Sequence, residues 1–228
     1  MTATSSNPTR RGRKDEAAYR YGTVLLIILV LLVFEVLSTD TDWSRALGIA
    51  LAGAALTVSV ATSRQREDVR RVRTIVVGVL AILVVIGILV GVLSATVTYF
   101  IGTFVVAAIP IALGGGLIRL IREKGVTVQA VAGALAIYLL VGLLFASAIA
   151  FVGKVESAPF FAQGGPVNNG DVVYYSFTVM TTTGFGDYTA AHPVGHALAV
   201  LEMLVGQLYL VTVIGVLIGN FVGRTTRR

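Results

Sequence analysis

Seven consecutive residues, Thr181-Thr182-Thr183-Gly184-Phe185-Gly186-Asp187, have the types and spacing for a particular chemistry. Two glycines at alternate positions do not favour a helix. They suit a backbone that repeatedly visits unusual φ/ψ values and so points successive carbonyls the same way. A row of carbonyl oxygens can replace the water shell of a dehydrated cation. Just before it, Asp171 to Met180 makes about three helical turns, too short to span a bilayer. Asn169 is the expected N-cap, and Asp171 suits a helix N-terminus. Gly153 to Gly170 reads as a loop, with Pro159, Gly164, Gly165, Pro166, Asn168 and Asn169. A half-helix followed by an extended segment, set between two longer apolar stretches, is a re-entrant loop. Non-helical backbone survives at membrane depth only where protein buries it or where it lines water. The C-terminus of the half-helix would point inward, and its partial negative charge would favour a cation.

The elements that must position this segment are apolar. Six stretches stand out, at 22–38, 45–62, 74–94, 96–118, 127–152 and 195–222. Each approaches or exceeds the roughly 20 residues a helix needs to cross a hydrocarbon core, the first two being the shortest. Hydrophobic residues make up 56% of the chain and charged residues 13%. Soluble domains carry roughly 25% charged residues, so a soluble globular enzyme is excluded. The absence of cysteine excludes a disulfide framework and any thiolate metal or redox site.

Charge positions give the orientation. Of 18 Lys and Arg, five lie in 10–20, five in 64–73, three in 119–124 and three in 224–228, leaving only Arg45 and Lys154 elsewhere. If every stretch crosses, the four clusters share one face, which the positive-inside rule makes cytoplasmic. The other face carries Asp40, Asp42, Glu156, Asp171 and Asp187. The net charge of +6 therefore reads as anchoring beside anionic lipid, with no nucleic-acid partner expected. A basic tail before an apolar run also fits a signal peptide. The run is long for one, and no clear small-x-small cleavage site follows, so it is taken as a span.

Thr182-Thr183-Gly184-Phe185-Gly186-Asp187 resembles the potassium-channel filter signature T-V-G-Y-G-D. The resemblance covers about residues 127–222 as outer helix, pore helix, filter and inner helix. Thr181-Thr182, Gly184, Gly186 and Asp187 match as they stand. Tyr174-Tyr175-Ser176 sits where the family often has an aromatic pair followed by Ser. Gly206 lies where many members have a hinge glycine. The resemblance implies that Thr182, Thr183, Gly184 and Phe185 supply filter carbonyls to transient potassium ions, with the Thr182 hydroxyl at the innermost site. Two departures stand out. Thr183 replaces Val and places a hydroxyl behind the filter, and Phe185 replaces Tyr and removes a hydroxyl that ties the family's filter to its pore-helix aromatics. Thr178 stands where many bacterial members have Glu, so no carboxyl pair with Asp187 is expected.

One filter segment supplies a quarter of a ring, so the implied assembly is a homotetramer. The expected fold is all-α transmembrane, with six spanning helices per chain plus a re-entrant pore helix and filter loop. The expected division is a basic cytoplasmic tail at 1–21, a four-helix membrane domain at 22–124, a pore domain at 125–223 and a short cytoplasmic tail at 224–228. The chain is placed in the plasma membrane with both termini cytoplasmic.

The remaining polar residues are read in that frame. Glu202 lies mid-helix in the last stretch, where an intramembrane carboxylate marks function or a structural hydrogen bond to the pore helix from behind. Tyr174 and Tyr175 form a filter cuff or pack in the core, and the position next to the filter favours the cuff; Thr178 and Thr181 are further support. Gln207, Leu210, Val211, Ile214 and Ile218 recur at helical spacing. They either line a cavity below the filter, with Ile214 or Ile218 as a constriction, or are ordinary packing surface. Glu35 either reaches outer water or has a role. His192 and His196 are loop histidines at the outer mouth, able to sense external pH or idle. Trp43 reads as an interface anchor. No His, Asp and Ser set points to catalysis, and two histidines are too few for a His-based metal site. No enzyme activity, cofactor or metal beyond permeant potassium is expected.

Six spans with the filter last is the layout of voltage-gated channels, whose fourth span carries a basic residue at every third position. Here the fourth stretch has none. It has Pro110 and Gly114-Gly115-Gly116 instead, and Arg119 and Arg122 come only at its end. No cytoplasmic ligand-binding domain is expected, which leaves lipid, tension, pH, a separate regulatory subunit or constitutive opening. The rival functions are a sodium/potassium channel of the same build, a secondary transporter, which usually shows paired interrupted spans, and a membrane scaffold.

Overall fold

Apolar runs long enough to nucleate helices, interrupted by Ser, Gly and Asp punctuation, set the architecture. The computed structural model describes residues 21–62, 67–156 and 158–225. The tail at 1–20 and the basic side chains of 64–73 and 224–228 lie outside the described residues. Helices α1 (Tyr21–Leu37), α2 (Asp42–Thr62), α3 (Glu67–Leu89), α4 (Ala95–Lys124) and α5 (Val128–Val155) come first. A short α6 (Asn169–Met180) precedes the filter-like segment. A last rod follows, made of α7 (Pro193–Leu208), a π-helical turn (Tyr209–Ile214) and α8 (Gly215–Thr225). Among the described residues the only β pairing is a single bridge, Phe161 to Ala190.

Among the described residues, four helices are long and apolar enough to cross a membrane: Asp42–Val60, Ala95–Lys124, Val128–Val155 and Pro193–Asn220. Tyr21–Leu37 and Ile75–Leu89 are apolar but shorter. The short apolar run after α1 is that of α3, whose first turns hold Glu67, Asp68, Arg70, Arg71 and Arg73.

Caps fix two boundaries. The Ser94 side chain accepts from the Val97 amide at the start of α4, and Thr127 accepts from Ala130 at the start of α5. Gly125, at φ 70°, ends α4.

Helix α5 is the hub. It packs against α1, α4, α6 and α7. Its small residues make this possible: Ala130, Gly133, Ala134, Ala136, Gly142, Ala146 and Ala150 are all buried. Gly133 meets the Tyr21 ring, and Gly142 meets Phe177 and Met180. In contrast, α3 packs chiefly on α2 and leaves Ile75, Leu80, Ile82 and Leu83 exposed. An apolar face of that size needs lipid or protein to cover it.

Candidate functional site

Helix α6 has 12 residues, about 18 Å at 1.5 Å per residue, too short to cross a hydrocarbon layer of about 30 Å. Its N-terminus is held by α1. The Asn169 amide donates to the Glu35 carboxylate and, at 3.2 Å, to Ser38. Asn169 is therefore a tether and not the N-cap; Asn168 holds that position without a side-chain cap. Glu35 does not simply reach water.

Beyond Met180 the backbone changes hand at every second residue. Positive φ values recur at Thr182 (57°), Gly184 (53°) and Gly186 (82°), but not at Thr183 or Phe185. In an extended chain successive carbonyls alternate sides. Reversing handedness at each second residue swings them toward one side. Thr182 is the only non-glycine with positive φ among the described residues. Such a conformation costs of order 1–3 kcal/mol and persists only where the surroundings over-determine it.

Those surroundings are specific. The amides of Thr183 and Gly184 donate to the Thr178 carbonyl at 2.9 and 3.1 Å, and that of Thr182 to Val179 at 2.9 Å. Carbonyls left over at the end of α6 thus bind the first half of the segment. The Thr181 hydroxyl donates to the Phe177 carbonyl at 2.7 Å and lies 2.9 Å from the Thr183 hydroxyl. From α7, Gln207 Nε2 donates to Thr182 Oγ1 at 3.3 Å. The hydroxyl of Thr183 therefore has a partner within the chain.

The expected aromatic cuff divides. The Tyr174 hydroxyl donates to Asp187 at 2.8 Å, and its ring stacks on Phe185 at 6.3 Å. Tyr175 is instead core: it is buried edge-on against Phe161 and Phe160. These two phenylalanines come from the loop before α6. The Phe161–Ala190 bridge and bonds from Ala162 to Thr189 and from Ala191 to Phe160 pin that loop to the segment after Asp187. The loop is an aromatic wedge, a role its Gly and Pro content concealed.

Behind α6, Ser176 contacts the Gly142 carbonyl of α5 and the Glu202 carboxyl of α7, both buried. Thr178 bonds back to the Tyr175 carbonyl. One turn past Glu202, Gly206 sits in regular helix, where an added Cβ would lie 2.5 Å from the Met180 carbonyl. It is a close-approach site, and the irregular turn falls later, at Tyr209–Ile214.

That π turn changes which side chains face where. An extra residue per turn rotates everything after it. Ile214 is only 8% exposed and packs in the chain's own core, so it is corrected from the expected cavity face. Leu210 is half-buried, whereas Val211 and Ile218 are exposed.

Both histidines are held by contacts, and His196 lies within α7. His192 Nε2 lies 2.8 Å from Glu156 with its ring against Phe160, and His196 contacts the Ala190 carbonyl at 2.9 Å. Trp43 stays exposed at the start of α2, as an interface anchor does. Among the described residues no cluster of His, Asp or Glu could hold a metal.

Residues 134–222 match the profile of a family described as an ion channel. The matched stretch begins within α5 and takes in the wedge, α6, the filter-like segment and the last rod. It supports an ion channel, whose task makes and breaks no covalent bond. No curated protein and no solved structure matches the chain. The channel-matching stretch thus contains the positive-φ alternation, the Tyr174–Asp187 bond and the Ser176–Glu202 contact. The tether to α1 lies partly outside it. Phe160 and Phe161 were not singled out in the sequence, where an apolar pair inside a polar loop was the available signal for the wedge; Ser176 stood out only as the residue after the Tyr pair.

Proposed function

We propose that the chain is a potassium-selective channel, conducting through a central pore made by four copies. Carbonyls of Thr182, Thr183, Gly184 and Phe185 line the filter, with the Thr182 hydroxyl innermost and Asp187 at the outer mouth. The observation that carries this reading is the alternation of positive φ at Thr182, Gly184 and Gly186 directly after a half-helix whose end carbonyls bind the segment. A second feature supports assembly. All seven residues from Thr181 to Asp187 are exposed in the single chain, and irregular backbone at membrane depth needs cover from protein or a water-filled pore. Below the filter, Gln207, Leu210 and Ile218 line the cavity, and Gly206 lets the inner helix approach α6. The chain lies in the cell membrane with both termini cytoplasmic, in contact with lipid.

The test is a reversal potential. Purified protein in bilayers under opposed potassium and sodium gradients should reverse near the potassium equilibrium potential. A reversal near zero would assign the sodium/potassium reading, which Thr183 and Phe185 favour. Absence of current in every condition would remove the channel reading.

A further inference from the structure

Ser176 holds one hydroxyl proton, yet two oxygens compete for it. The Gly142 carbonyl on α5 lies at 2.8 Å, and Glu202 Oε1 on α7 lies within hydrogen-bonding distance on the other side. A backbone carbonyl can only accept. If Ser176 gives its proton to Gly142, Glu202 must bring a proton of its own.

The opposite assignment fails on burial. Were Ser176 to donate to an ionised Glu202, the Gly142 carbonyl would face a serine oxygen with no proton between them. The carboxylate itself would lack compensation. Glu202 is fully buried, and its Oε2 has no hydrogen-bond partner among the described residues. The titratable groups facing it are Tyr138 of α5 and Tyr175 of α6, neither of them a cation. On its own helix the other titratable group is His196, which bonds the Ala190 carbonyl. A buried charge with no partner is among the least favourable arrangements a membrane interior allows.

We propose that Glu202 is a neutral carboxylic acid that donates to Ser176 while Ser176 donates to Gly142, and that this two-proton relay positions α6 beneath the filter. The relay joins all three helices around the filter. One turn further on, Gly206 of α7 seats against the Met180 carbonyl, so α7 grips α6 at two heights. Ionisation of Glu202 passes its proton to water and leaves the single Ser176 proton to be shared between the Gly142 carbonyl and the Glu202 carboxylate. The grip loosens, and conduction falls. Glu202 is in this sense a positioning residue: among the described residues it hydrogen-bonds Ser176 and no filter residue, and it acts through Ser176. The consequence for current rests on the channel reading; the protonation itself does not.

The experiment has two arms. Infrared spectra of the full-length protein in lipid should show, at neutral pH, the carbonyl stretch of a protonated carboxylic acid. That band should vanish in Glu202→Gln and shift in Ser176→Ala. Its absence, or its persistence in Glu202→Gln, overturns the inference whether or not the protein conducts. If Glu202→Gln does not assemble, the shift in Ser176→Ala decides alone, and an unshifted band overturns the relay. In the second arm, raising the pH should abolish wild-type potassium current, whereas Glu202→Gln, able to donate but not to ionise, should keep it. Identical pH profiles for the two proteins also overturn the inference. Failure of the channel reading looks different: no current in any protein, with the infrared band intact.

Discussion

Two polar regions of the molecule treat their donors and acceptors in opposite ways. At one end of the helices, Asp40 accepts from Lys154 at 2.5 Å, from Tyr99 at 2.9 Å and from Arg45 at 3.1 Å. Arg45 also pairs with Asp42, and beside this network lies a cavity of about 70 Å³ lined by Glu35, Arg45, Tyr99 and Asn169. Its charges are quenched inside one chain. Among the described residues, the 181–187 segment is bonded along its rear, through Phe177, Thr178, Val179 and Gln207, and at its end, where Tyr174 holds Asp187. Its front stays open, with Phe185 68% exposed. The first region is a finished structural joint, while the second is built to be completed by something outside the chain.

That contrast can be broken most forcefully at the glycines. Gly184→Ala or Gly186→Ala should abolish selective potassium current. Among the described residues no atom beyond the chain neighbours lies within 4 Å of an added Cβ at either site, so the cause is conformational: φ values of 53° and 82° are strained for alanine. Bilayer recording in mixed potassium and sodium checks it, and normal selective current in both variants would falsify the filter assignment. Gly206→Ala should have the next largest effect. Its Cβ meets the backbone of Met180, which cannot swing aside as a side chain does, so current should fall sharply and thermal stability should drop.

The joint should respond more mildly, and in stability. Lys154→Met leaves Asp40 with Arg45 and Tyr99 alone. The pair is partly buried, between the limits for exposed and buried ion pairs, so the expected loss is about 1–2 kcal/mol by thermal unfolding in detergent. Burial of Asp40 opposes its ionisation, but Lys154, Tyr99 and Arg45 outweigh it and hold the carboxyl below the ordinary carboxylate value. A depressed carboxyl contributes its stability fully above that ordinary value and loses it as pH falls through the lower, folded one. Unfolding temperature should therefore drop on acidification below about pH 4, and Asp40→Asn should flatten that part of the curve.

The same contrast explains what was legible beforehand. Helices, the half-helix and the filter-like segment follow from hydrophobic run length and from two alternate glycines, all local signals. The joint was not legible. Arg45 and Lys154 stood out only as the two basic residues on the wrong face. Lys154 and Asp40 lie 114 positions apart, and no spacing rule links them. The assignment of Ile214 to the cavity failed for a local reason of another kind. Counting by 3.6 residues carries a face straight through Tyr209–Ile214, and a π turn moves it. Tyr174 and Tyr175 were indistinguishable as neighbours, though consecutive helical residues point about 100° apart, one to the filter and one to the wedge.

The smallest expected effect concerns voltage. Helix α4 starts at Ala95 and runs unbroken to Lys124, with no Lys or Arg before Arg119. Moving one charge through the whole field contributes about 2.3 kcal/mol per 100 mV, and steep gating needs several such charges per subunit. Arg119 stands in the last two turns and pairs with Glu123 at 2.8 Å, so any displacement carries a nearly neutral pair. Arg122 lies just beyond it, at the same end of the helix. Both can cross only a small fraction of the field. Replacing both with Gln should leave the slope of the conductance–voltage relation unchanged in bilayer recordings. Ions moving within the filter can still give a shallow dependence, which the substitutions would not touch. A steep curve that flattens in the double variant would place working charge on α4 and make the front helices an active sensor instead of a joint.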